Sequence, residues 1–115
     1  MATYIHPSAE VAADAVIGED TKIWHLVQIR PSVKIGNECI LGRGVYVDAH
    51  VKLGNRVKIQ NYVSVYEGVT IEDGVFVGPN AVFTNDKVPR AVNPDGSLKS
   101  ATDWRVSHTL VREGA

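Results

Sequence analysis

The chain has 115 residues, enough for one small domain. Its 12 lysines and arginines against 13 acidic residues leave a net charge of −1, so charge gives no reason to expect nucleic acid or an anionic membrane as partner. No apolar run approaches membrane-spanning length and nothing near Met1 reads as a signal peptide. The one cysteine, Cys39, cannot form an internal disulfide, which makes a cytoplasmic setting the default expectation.

From Ile5 onward an apolar residue returns at every sixth position: Val11, Ile17, Ile23, Ile29, Ile35, Leu41, Val47, Leu53, Ile59, Val65, Ile71, Val77 and Phe83. A second series of smaller residues follows each by four places, from Ala9 through Thr21, Val33 and Cys39 to Ala81. Between them lie residues that read as turn formers, among them Gly18, Gly36-Asn37, Gly42, Gly54-Asn55, Asp73-Gly74 and Gly78. A helix advances roughly 600° in six residues, which would scatter the apolar positions around its circumference. In a strand, the small residue and the aliphatic two places later point to the same side. Each hexad is therefore a short strand with two inward residues and a tight turn. A single strand of this length would reach about 260 Å at ~3.3 Å per residue, so the chain must wind as a solenoid. Periodicity alone leaves the number of strands per coil open.

The rhythm stops at "VFTNDKVPRA" (residues 82–91). An excursion from about Thr84 to Leu110 follows, carrying Pro89, Pro94 and Asp95-Gly96-Ser97, with neither hexad nor helical periodicity. A segment of this length is expected to be functional or mobile, and either to fold over the last coil or to be poorly ordered. "VREGA" (residues 111–115) then fits one more hexad, comparable with "IEDGV" (residues 71–75).

The hexads resemble those of the hexapeptide-repeat acyltransferases. That resemblance implies an all-β fold, a left-handed parallel β-helix with three strands per coil and a protruding loop. Residues 1–83 would form the coils, 84–110 the loop and 111–115 the start of a further, truncated coil. "YIHPSA", "TKIWH", "IQNYVSVYEGV", "VFVGPNAVFTND" and "PRA", in that order, are similar to the N-terminal portion of one branch. Its members N-acetylate the 3-amino group of a UDP-linked 2-acetamido-3-amino-2,3-dideoxy-glucuronic acid in lipopolysaccharide O-antigen synthesis. The resemblance implies acetyl-CoA as co-substrate, a UDP-amino sugar as acceptor and a homotrimer with sites between subunits.

By the same resemblance, Asn85 is expected to orient the sugar nucleotide, since an amide both donates and accepts hydrogen bonds. Asp86 lies beside it, and Arg90 would pair with a diphosphate or uronate. Tyr66, Gln60 and Asn61 would contact uracil or sugar, or else form side-chain ladders on the outer face. His25 or His50 would serve as general base, although no paired carboxylate–histidine motif is visible and the departing CoA thiolate could take the proton. With 18 residues per coil, Asp48, His50, Tyr66, Glu67, Asn85 and Asp86 gather at one corner; His25, Arg43 and Asn61 stack at another. Cys39 occupies an inward position and reads as core.

A competing reading is a non-catalytic trimeric β-helix, or a remnant without a full CoA site. A zinc hydratase would need three convergent histidines. His6, His25, His50 and His108 fall at different phases with no close pair, so no metal is expected.

Overall fold

A computed structural model describes residues 2–115; Met1, with which the expected coil region begins, lies outside the described residues. The first coil carries β1 (Tyr4–Ile5), β2 (Glu10–Val11) and β3 (Val16–Ile17). The second carries β4 (Lys22–Ile23), β5 (Gln28–Ile29) and β6 (Lys34–Ile35). In the third are β7 (Ile40–Leu41), β8 (Tyr46–Val47) and β9 (Lys52–Leu53). The fourth holds β10 (Lys58–Ile59), β11 (Ser64–Val65) and β12 (Val69–Ile71). β13 (Phe76–Val77) and β14 (Val82–Phe83) begin a fifth, which β15 (Thr109–Val111) completes after the excursion. Among the described residues there is no helix, hence none long and apolar enough to cross a membrane.

Every third strand pairs, always parallel, giving three five-stranded faces: β1-β4-β7-β10-β13, β2-β5-β8-β11-β14 and β3-β6-β9-β12-β15. Periodicity left the strands per coil open; the register answers three. Ile23 lies over Leu41, Leu41 over Ile59 and Ile59 over Val77. Ile23, Leu41 and Ile59 are fully buried, as are Val33, Cys39, Val51, Val57 and Val63 of the small series. Each such aliphatic contributes roughly 1.5–3 kcal/mol of hydrophobic stabilisation. Burial pushes the Cys39 thiol above its ordinary range, against smaller opposing hydrogen bonds, so the residue packs as core.

The turns repeat as strictly as the strands. From Asp20 to Asn80 a left-handed backbone residue recurs every sixth position, including Leu26, Ser32, His50, Arg56 and Tyr62, with Gly44, Gly68 and Gly74 at three of the places. The glycines read as turn formers at positions 18, 36, 42 and 54 fall two residues earlier, where φ is not positive. Their reason is crowding. In the corner between the third and first faces, Asn37, Asn55 and Asp73 stack one coil apart. Their side-chain oxygens accept the backbone N–H of Glu19 (2.9 Å), Asn37 (2.8 Å) and Asn55 (2.7 Å). A Cβ on Gly18, Gly36 or Gly54 would run into that rung.

The excursion is an insertion. Val111 pairs with Ile71 where the 18-residue period would have put Pro89, and the coil resumes in register, with Phe76 N–H donating to Ala115 C=O at 2.9 Å. The alignment of "VREGA" with "IEDGV" is thus the pairing observed. Among the described residues the hydrogen bonds of residues 87–105 stay within the excursion: Val92 bridges Leu98, and Asp103 accepts from Ser100 N–H (2.8 Å) and Asn93 Nδ2 (3.2 Å). Those donors, the Ser100 amide first, hold the Asp103 carboxyl below its usual range.

Gly36→Ala should lower stability by about 2–4 kcal/mol, because the new methyl meets Gly54 O at 2.5 Å as well as Asn55 Oδ1. Gly78→Ala, with nothing within 4 Å, should change it by less than about 1 kcal/mol. Equilibrium denaturation of the two variants checks the contrast; equal losses would mean that crowding is not what the glycines answer to.

Candidate functional site

The corner between the second and third faces is where the excursion leaves and re-enters. The coil stacks Tyr66 and Glu67 there one turn above Asp48, and Asp48 is tied to Glu67. Asp48 Oδ1 accepts from Tyr46 Oη (3.0 Å) and Ala49 N–H (2.8 Å), while its Oδ2 accepts the Glu67 N–H (3.1 Å). Burial first, then the Asp48 carboxylate, push the Tyr46 phenol above its usual range, so it stays a donor. Tyr66 sets its ring edge-on to Tyr46, with centroids 6.1 Å apart.

His50 holds one of the left-handed turn positions, φ 65°, and its Nδ1 lies 3.1 Å from Glu67 Oε2. A carboxylate only accepts, so Nδ1 carries the hydrogen and Nε2 of the neutral ring is an open acceptor. Sequence reasoning saw no carboxylate–histidine pair; the fold makes one from residues 17 positions apart, through a one-residue offset between stacked turns.

Asn85 is one of two buried polar residues among those described. Its Nδ2 donates to Glu67 C=O (3.0 Å) and its own carbonyl accepts Ser107 N–H (2.7 Å). Its Oδ1 has no protein partner, and no buried side-chain oxygen is left unsatisfied, so that atom reaches solvent. Thr109 N–H donates to Gly68 C=O (3.0 Å), which clamps the returning excursion onto the same corner. Gly68 is required twice over: its φ is 97°, and a Cβ would meet Val106 Cγ1 at 2.5 Å. The clamp brings His108, which the excursion's broken phase hid from sequence reasoning, into a cleft of about 640 Å³ with His50, Lys52, Glu67 and Thr70.

The other expected residues are distributed differently. Asp86 accepts Val88 N–H (3.0 Å) in a turn at the base of the excursion, and the exposed Arg90 donates to Pro89 C=O (2.8 Å). Gln60, Asn61 and His25 lie at the corner between the first and second faces, away from Asn85 within one chain. There Asn61 Oδ1 accepts Arg43 N–H (3.0 Å), the ladder alternative for that residue. His25 stacks on His6 with centroids 3.5 Å apart, which corrects the expectation that no two histidines are close: adjacent phases on neighbouring coils bring the rings together. Desolvation first, then the charge of His25, hold His6 below its ordinary range. Among the described residues no three of His, Cys, Asp or Glu gather as metal ligands.

The family model described as "Bacterial transferase hexapeptide (six repeats)" matches residues 14–49 and 50–85, more than half of the chain. With the three-faced coil, that match identifies the fold as a left-handed parallel β-helix. No curated protein sequence matches the chain significantly. Several solved structures are similar. One is the acetyltransferase domain of PglB from Neisseria gonorrhoeae, at 20% identity over 71% of this chain and 49% of that one, with a TM-score of 0.64. Another is PerB from Caulobacter crescentus in complex with CoA and GDP-perosamine, at 26% identity over 73% and 49%, with a TM-score of 0.57. The chain therefore spans about half the length of both.

Gly68→Ala should detach the return of the excursion, at a cost of about 2–4 kcal/mol. Limited proteolysis within residues 86–106 should then outpace that of the wild type, with the coil left intact. An unchanged cleavage rate would mean that the clamp does not depend on this glycine.

Proposed function

Since the chain belongs to the bacterial transferases built of hexapeptide repeats, we propose that it is an acetyl-CoA-dependent N-acetyltransferase acting on an amino sugar carried by a nucleotide. The acceptor assigned is the 3-amino group of a UDP-linked 2-acetamido-3-amino-2,3-dideoxy-glucuronic acid, on the strength of "QNYVSVYEGV" and "FTND" followed by "PRA". The observation that carries the reading is Asn85: buried, anchored through Nδ2 to the backbone carbonyl of Glu67, the partner of His50, with its own Oδ1 open to solvent. The CoA and GDP-perosamine bound to PerB support the same pairing of donor and acceptor classes.

A thioester is already a good electrophile, so the protein's tasks are to position the amine and to manage its proton. Asn85 Oδ1 accepts one N–H of the acceptor amine and aims its lone pair at the thioester carbonyl. As the C–N bond forms, the proton passes to His50 Nε2, and Glu67 stabilises the imidazolium through Nδ1. When the tetrahedral intermediate collapses, the C–S bond breaks and the CoA thiolate leaves as the thiol, taking that proton. His50 takes the base role in this scheme because Glu67 fixes its tautomer, whereas His25 sits on another corner. In the proposed homotrimer, the His25–Arg43–Asn61 corner of one copy meets the Asn85 corner of the next, adding Gln60 and Asn61 to the acceptor site. Asp86 and Arg90 act from the excursion, and the product serves lipopolysaccharide synthesis.

Release of CoA thiol from acetyl-CoA should depend on a UDP-3-amino sugar. Asn85→Ala should lower kcat/KM about 10²–10³-fold, and His50→Asn at least about 10²-fold. Thiol release that ignores the amine, or variants that turn over like the wild type, would refute the assignment.

A further inference from the structure

The cleft lined by His50 and Glu67 also carries Lys52 and His108, to which the acetyl-transfer scheme above gives no role. Lys52 points outward from β9 and lines this cleft, with no carboxylate within 4 Å among the described residues. Lys34 stands directly across from it on β6. Two ammonium groups on adjacent rungs about 4.8 Å apart repel each other, an arrangement that costs stability unless an anion joins them. Glu72, Asp73 and Glu113 line the adjoining groove together with Lys34 and Lys52, and among the described residues none of these carboxylates forms an ion pair with either lysine. His108 lines the same cleft and is exposed, and among the described residues neither ring nitrogen has a hydrogen-bond partner. His108 is also held in place at some expense, since Gly68 must leave room for the segment that carries it. Lys52 and His108 thus share the cleft of the His50–Glu67 pair, and neither is engaged by another group among the described residues.

The geometry points to a carboxylate subsite: Lys52 and His108 together bind the acid group of the acceptor sugar and so select a uronic acid over a neutral hexose. Both would touch the substrate, and neither takes part in proton transfer. The inference rests on the proposed acetyl-transfer reading for the identity of the ligand, but its test does not need turnover.

UDP-glucuronic acid and UDP-glucose differ at that one group and can be compared by calorimetry on the full chain. Wild type should bind the uronate at least about tenfold more tightly, a difference of about 1.4 kcal/mol. Lys52→Met and His108→Asn should each bring that ratio to within about twofold of unity, Lys52→Arg should keep most of it, and Lys58→Met on the first face should leave it alone. A wild type without preference overturns the subsite. So does an equal weakening of both ligands in Lys52→Met, which would place the diphosphate there instead. Should the uronate preference depend on Lys52 and His108 while no acetyl transfer occurs, the subsite stands and the transferase reading falls alone.

Discussion

One constraint governs this molecule: each coil must repeat the one beneath it after 18 residues, atom over atom. The inward Ile, Leu and Val side chains need that register to fill a narrow triangular core, since a rung out of step would leave voids that the neighbours cannot close. Turns are held to it by the Asn37–Asn55–Asp73 ladder, whose oxygens satisfy backbone amides one coil away. Glycine appears where the ladder leaves no room for a Cβ. The left-handed turn residue two places later is set by the corner itself, and the chain accepts Leu, Tyr, Arg and His there.

The site is a consequence of the same register. Counting by eighteens gathers His50 and Glu67 at one corner without pairing them; stacking the turns brings their side chains within 3.1 Å. Because Asn85 lies one coil above Glu67, its amide reaches the Glu67 carbonyl. The excursion departs from that corner and returns to it, bonded to Asn85 and Gly68, so the inserted segment closes a cleft without disturbing the coil that resumes at Thr109. A rigid prism thereby carries a mobile-length loop, and the groups assigned to chemistry sit where the two meet.

How much of this the sequence disclosed follows from how local each feature is. Inward positions repeat every six residues and depend on nothing distant, so the core, the interrupted coil and the pairing of Ile71 with Val111 were legible. The gathering of Asp48, His50, Tyr66, Glu67, Asn85 and Asp86 at one corner was read from counting eighteens. Which side chains touch was not legible: His50–Glu67 and His6–His25 each join residues offset by one place from strict stacking, and counting does not pair such neighbours. His108 was hidden because the excursion breaks the count. The glycines at 18, 36, 42 and 54 were read as turn formers, and what demands glycine at these places is a side chain on the next coil.

Amide hydrogen exchange tests the register most directly, at sites where solvent exposure and bonding make opposite demands. The amides of Asn37, Asn55 and Glu67 lie in turns on the surface, and each donates to a side-chain oxygen one coil away. They should exchange as slowly as strand amides such as Lys22 and Gln28, which donate between coils. Exchange at the rate of an open loop would show that the turns are not locked to one another, and a corner site built on that locking would lose its foundation.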